Sequence, residues 1–257
     1  MNSTNAWFKS NYASRQGDLK LFCFPYAGGS ALIYRNWASY LPPAVEVISL
    51  ELPGRGARIK EPPIVSMPVL IESVVEHMLP LLNTPFVFFG HSMGAMIAFE
   101  LARSLRRQIN CEPQALFIAG RRAPQIPDES PVAYNSPEKE FIEELYRIDG
   151  TPKEVLENAE LMGLMIPLLR SDFQLVQTYE YSVDEPLRCP ITAFGGLDDI
   201  EETRDKLLLW KEHTVSAFKL HMLPGDHFFL RSSQAILLGL LADELNRIIA
   251  RLHLRAQ

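Results

Sequence analysis

Phe86-Val87-Phe88-Phe89-Gly90-His91-Ser92-Met93-Gly94-Ala95-Met96-Ile97-Ala98 changes its period halfway along. The first four residues are apolar, aromatic or β-branched, and a glycine bounds them, so they have the length and composition of a buried strand. Beyond Gly94 the small residues Ala95, Ala98 and Ala102 recur at near-helical spacing, and the pattern predicts a helix over Met93–Arg107. The pentapeptide between them, Gly90-His91-Ser92-Met93-Gly94, matches G-x-S-x-G in the strand–turn–helix context that this motif requires. So sharp a turn holds its central residue at strained backbone angles, and side chains at the flanking positions would strike neighbouring backbone, which is why glycines stand there. The positive end of the helix then points at the Ser92 hydroxyl and at any oxyanion forming beside it. Ser92 is therefore the candidate nucleophile, whereas His91 and Met93 are expected to pack.

Outward from this turn, short apolar runs alternate with longer helical patterns. Leu19–Phe24, Val45–Leu50, Phe86–Phe89, Ala115–Ala119, Ile191–Phe194 and Phe218–Leu223 read as strands. Helices are expected at about Ala31–Leu41, Val69–Leu82, Met93–Arg107, Glu201–His213 and Ser233–Leu252. Strands separated by helices imply right-handed crossovers and an α/β fold with a mostly parallel central sheet covered by helices on both faces. The alternation breaks from about Gln125 to Glu185, which reads as a helical insertion between two strands. Ser136-Pro137 and the capping box at Thr151-Pro152-Lys153-Glu154 start helices, Gly150 suits a left-handed stop, and Pro167 should kink or end the helix beginning near Asn158. Without repeats, low-complexity tracts or a Gly/Ser linker, residues 1–257 are expected to form one domain, with the insertion as a subdomain.

In a serine hydrolase built on such a sheet the nucleophile is followed first by an acid after a late strand and then by a histidine after the last one. Ile191–Phe194 leads into Gly195-Gly196-Leu197-Asp198-Asp199, and Phe218–Leu223 leads into Pro224-Gly225-Asp226-His227. Of the six histidines, His77 and His213 fall in predicted helices, His221 in a strand, His253 near the C-terminus and His91 beside the nucleophile. His227 is the base this leaves, on a loop at the carboxyl end of the sheet where catalytic groups collect. Asp199 is preferred as the acid, with Asp198 as the alternative, because only one of two adjacent side chains can point at the imidazole.

Bulk properties narrow the remaining classes. Over 257 residues, 47% hydrophobic and 22% charged residues describe a globular chain with a substantial core. A formal charge of −6 argues against a nucleic-acid binder. Cys23, Cys111 and Cys189 are odd in number and widely spaced, so neither a disulfide framework nor a metal site is expected, and no cofactor is called for. The N-terminal residues lack the basic start and apolar core of a secretory signal, and no stretch approaches membrane-spanning length, which points to a cytoplasmic protein.

Five landmarks together resemble the type II thioesterases that act in trans with nonribosomal peptide and polyketide synthases, members of the α/β-hydrolase superfamily. They are Phe24-Pro25-Tyr26-Ala27-Gly28-Gly29, Leu52-Pro53-Gly54-Arg55-Gly56, Gly90-His91-Ser92-Met93-Gly94, Phe194-Gly195-Gly196-Leu197-Asp198-Asp199 and Gly225-Asp226-His227-Phe228-Phe229. The resemblance implies that Ala27 and Met93 donate the backbone N–H groups of an oxyanion hole, that the acid is Asp199, and that the insertion at about 125–185 is a helical lid. One departure is that Ile200-Glu201-Glu202 follows Asp199 where many relatives have proline and a β-branched residue. The implied substrate is an acyl group on the phosphopantetheine arm of an acyl- or peptidyl-carrier protein, and a monomer is expected. The chain has no length for a fused carrier, which fits action in trans. Docking candidates are Arg121-Arg122 and Arg55 with Arg58, though solvated loop arginines read equally well. Tyr26, Met162, Met165 and Phe228 are candidate substrate contacts, the methionines lying in an apolar stretch that also suits helix packing. A carboxylesterase or lipase would share every triad residue, and a non-catalytic relative would share the fold.

Overall fold

The computed structural model describes residues 5–10, 17–128, 133–148 and 156–255. Seven strands form one sheet in the order β1-β3-β2-β4-β5-β6-β7, where β1 is Phe8–Ser10, β2 Leu19–Phe24, β3 Val45–Leu50, β4 Phe86–His91, β5 Leu116–Ala119, β6 Ile191–Gly196 and β7 Phe218–Leu223. Every pairing is parallel except that of β1 with β3. The edge strand β1 is absent from the sequence reading because three residues are too few to show a period.

Both faces of the sheet are covered, and period-2 alternation divides the strand side chains between them. Phe22, Phe24, Phe86 and Phe88 pack on one side with α1 (Met67–Met78) and α2 (Met93–Ile109). Leu21, Cys23, Val87 and Phe89 pack on the other with Trp37 and with Leu237, Leu241 and Leu245 of the last helix, α7 (Gln234–Arg255). This double covering is why β4 reads as an unbroken apolar run. Among the helices whose limits lie within the described residues are also α3 (Glu138–Ile148) and α4 (Ala159–Gln177), both between β5 and β6, then α5 (Arg204–Leu208), α6 (Phe229–Ser232) and α7.

Several expected helices differ from those observed. The segment expected as one helix over Ala31–Leu41 is two 3-10 turns, Ala31–Tyr34 and Trp37–Ser39. Tyr34, which ends the first turn, and Trp37, which opens the second, are buried edge-to-face with ring centroids 4.8 Å apart. The helix expected from Glu201 starts at Arg204, because the amides of Glu201 and Glu202 turn instead toward the Asp199 side chain. Pro167 does not end α4. It and Gly163 are both exposed, so the carbonyl that proline deprives of a donor faces water. Helix α3 begins two residues after Ser136, and Asn158 caps α4 through the amides of Glu160 and Leu161. Gly150 and the Thr151–Glu154 capping box lie outside the described residues.

Candidate active site

The turn at Ser92 shows in the backbone why its letters are fixed. Ser92 has φ 53° and ψ −115°, a conformation that a residue with a side chain adopts only under constraint. A Cβ at Gly90 would lie 2.1 Å from the Gly94 carbonyl oxygen, and one at Gly94 would lie 2.0 Å from the Phe24 carbonyl oxygen. Neither position tolerates any side chain, because backbone cannot give way as a flexible side chain can. Met93 is the first residue of α2, where an N–H has no acceptor within the helix.

The acid and base loops are joined by main chain before any side chain acts. Strand β6 pairs with β7 through Gly196 opposite Leu223, and the Leu197 and Asp198 amides then donate to the Leu223 and Gly225 carbonyls. This zipper brings His227 Nδ1 to 2.8 Å from Asp199 Oδ2, while Asp198 is exposed. The carboxylate that meets the imidazole is thus Asp199. Its other oxygen accepts the amides of Glu201 and Glu202 at 3.0 and 2.9 Å. Burial pushes the Asp199 carboxyl upward, but the His227 hydrogen bond and the two amides outweigh it and hold the group below the ordinary range. Glu202 is itself buried and held by Arg122, whose Nε lies 3.0 Å from both carboxylate oxygens and whose amide donates to it at 2.7 Å. A buried ion pair therefore braces the loop that follows Asp199.

His91, completely buried, packs its ring 5.3 Å from that of His227 and also against Tyr26, Phe228 and Phe229. Burial pushes it well below the usual histidine range, with the neighbouring His227 next in effect. It is a neutral packing surface beneath the His227 ring.

Ser92, Asp199 and His227 border one cavity of about 300 Å³ together with Tyr26, Ala27 and Phe228. Helices α3 and α4 roof it with Leu145, Ile148, Leu169, Phe173 and Val176. Tyr26 is fixed by Arg231, which donates to its hydroxyl at 2.6 Å and lies over both the Tyr26 and Phe228 rings. Met162 and Met165 are elsewhere: Met162 is buried in a cluster with Phe141, Leu145 and Ile166, Met165 packs against that cluster, and neither borders the cavity. The sequence reading missed Phe173 and Val176 as lining residues, because which face of α4 looks inward is fixed only by docking. The arginines expected near a docking surface are mostly internal. Arg55 is 4% exposed and paired with Asp172, while Arg58 lies over Trp7 and bonds Glu61 and the Glu51 carbonyl. Arg122 is buried on Glu202, and Arg121 borders the cavity.

A hydroxyl in a strained turn, an imidazole oriented by a carboxylate, and a helix N-terminus beside them can perform acyl transfer through a serine nucleophile. A family model described as a thioesterase domain matches residues 19–245, and the chain belongs to this family. It is 43% identical over 250 residues to the gramicidin S biosynthesis protein GrsT of Aneurinibacillus migulanus, covering 97% of this chain and 98% of that one. It is also 43% identical over 246 residues to a protein of Brevibacillus parabrevis called linear gramicidin dehydrogenase LgrE, covering 95% and 94%. Among solved structures, the type II thioesterase BorB from the borrelidin biosynthetic cluster superposes with a TM-score of 0.85 at 33% identity, covering 93% and 97%.

Proposed function

We propose that this protein is a type II thioesterase that hydrolyses acyl thioesters from the phosphopantetheine arm of carrier proteins, acting in trans in nonribosomal peptide or polyketide biosynthesis. The observation that carries the proposal is the Asp199–His227 pair bordering one cavity with the strained Ser92 turn, in a chain that matches GrsT along nearly its whole length. In this reading His227, oriented by Asp199, takes the Ser92 proton as the hydroxyl attacks the thioester carbonyl. The Ala27 and Met93 amides receive the oxyanion, and collapse of the tetrahedral intermediate expels the carrier thiolate. A thiol of pKa about 8.5 leaves readily, so protonation by His227 matters less here than for an ester alkoxide. Water activated by the same imidazole then attacks the acyl-enzyme, releasing the free acid and restoring Ser92.

The insertion at about 125–185 serves as a lid in one domain of 257 residues, and Leu169, Phe173 and Val176 with Tyr26 and Phe228 take the acyl group. A dehydrogenase, as LgrE is named, would need a glycine fingerprint G-x-G-x-x-G at a first βα turn. Strand β2 instead runs into Phe24-Pro25-Tyr26-Ala27-Gly28-Gly29, which favours the hydrolase. Among the described residues no helix is long and apolar enough to cross a membrane, and we propose a cytoplasmic monomer. Light scattering tests the oligomeric part: twice 29.1 kDa would overturn it. Function is tested by incubating the enzyme with a panel of acyl-loaded carrier proteins and following release by intact mass. Release that disappears with Ser92→Ala is expected. Hydrolysis of oxygen esters with no release from any carrier would overturn the proposal in favour of an esterase.

A further inference from the structure

The helix that roofs the cavity also holds the loop expected to supply half of the oxyanion hole. On α4, Leu168, Leu169 and Asp172 fall on one face, and all three meet glycine loops of the sheet. A Cβ at Gly28, whose φ is +75°, would lie 2.6 Å from Leu169 Cδ2, and one at Gly54 would lie 3.4 Å from Leu168 Cδ1. Asp172, 2% exposed, accepts the Gly28 amide at 2.7 Å. The same carboxylate takes a two-pronged grip from Arg55, at 2.8 Å to Oδ2 and 2.6 Å to Oδ1. Arg55 in turn donates to the Gly29 carbonyl at 2.9 Å. The amide following Ala27 and the carbonyl two residues on are thus both bonded to one buried ion pair, half of which belongs to α4.

Resting on the thioesterase reading above, we propose that Asp172 is a positioning residue for the oxyanion loop, so that the hole is assembled only while α4 is docked. The Gly28 amide is engaged by Asp172 and the Gly29 amide by the Tyr26 carbonyl, which constrains the peptide between Tyr26 and Ala27 whose N–H would meet the oxyanion. A buried pair of this kind cannot be half removed without stranding a charge, so movement of α4 and of the loop are coupled.

The test compares Asp172→Asn with the parent enzyme on an acyl-pantetheine thioester and on an alkyl trifluoromethyl ketone, whose adduct with Ser92 carries the same oxyanion. We expect kcat to fall about tenfold to a hundredfold with KM nearly unchanged, and ketone affinity to weaken by a similar factor, short of the roughly hundredfold to thousandfold cost of removing an oxyanion donor outright. Arg55→Lys, which keeps the charge but loses the fork, should lose about tenfold in both and serves if Asp172→Asn does not fold. Arg103→Lys, in a buried ion network on α2 far from the loop, should lower Tm without weakening ketone binding. Normal kcat and normal ketone affinity in folded Asp172→Asn and Arg55→Lys would overturn the proposal. A parent enzyme inert toward the thioester would count against the thioesterase reading instead, and ketone affinity would still decide the role of Asp172.

Discussion

The sheet and the helical insertion obey different rules of placement. In the sheet, a residue just past the end of a strand is located by the register of that strand: Asp199 lies three residues beyond β6 and His227 four beyond β7, and the two strands pair up to those ends. In the insertion, position along a helix fixes only which residues share a face, and docking decides what that face meets. Thus Leu169 and Phe173 reach the cavity, while Met162, farther back on the same stripe of α4, ends inside the small core that Leu169 also joins.

The largest effects belong to the sheet. Ser92→Ala should lower thioester hydrolysis by about 10⁵- to 10⁶-fold, measured as kcat at saturating substrate, and a loss of less than about a hundredfold would remove Ser92 from its role. Asp199→Asn should cost about 10⁴-fold while Asp198→Asn stays near the parent. Equal losses from both would mean that register does not decide the acid.

The insertion should respond differently. Met162→Ala is expected to destabilise by about 2–5 kcal/mol, read by chemical denaturation, and to leave acyl-length preference unchanged. Phe173→Ala should do the reverse, shifting preference toward longer or bulkier acyl groups. A changed preference in the methionine variant would mean that the two ends of the apolar stripe on α4 do not act separately.

The smallest effect concerns pH. Burial keeps His91 neutral and pushes His213 down to about 4, whereas both protonate near 6.5 when unfolded. As pH falls below about 7 the unfolded chain binds protons first, so stability declines toward pH 4. The depressed Asp199 contributes stability that is intact above its unfolded value near 3.9 and is lost only as pH passes its lower folded value. His213→Gln should flatten the fall of Tm between pH 7 and 5, and an unaltered slope would show that His213 does not carry it.

The same division explains what was legible in the sequence. Three strands, β2, β3 and β7, have the predicted limits; β2 and β3 are runs buried on both faces, which leaves an unmistakable apolar signature, whereas β7 is an edge strand only partly buried. The Ser92 turn was legible because glycines are required where backbone meets backbone, and the choice between Asp198 and Asp199 needed the structure because adjacent residues differ only in direction. Arg55 was visible in its glycine-rich motif but was read as a surface charge. The signal for its partner was present, since Asp172 stands in line with Met162, Ile166 and Leu169, an acid on the apolar stripe of an amphipathic helix. What could not be read was that these two residues, 117 positions apart, face each other.

Gly196 shows how little of the acid–base spacing is left to side chains. A Cβ there would fall 2.2 Å from the Asp226 carbonyl oxygen, so the segment carrying the imidazole rests directly on the bare main chain at the end of β6. The spacing of Asp199 and His227 is therefore set by main chain where the two strands pair, not by the side chains at the rim of the pocket. Residues of that rim can diversify while the pair that orients the imidazole keeps its dimensions.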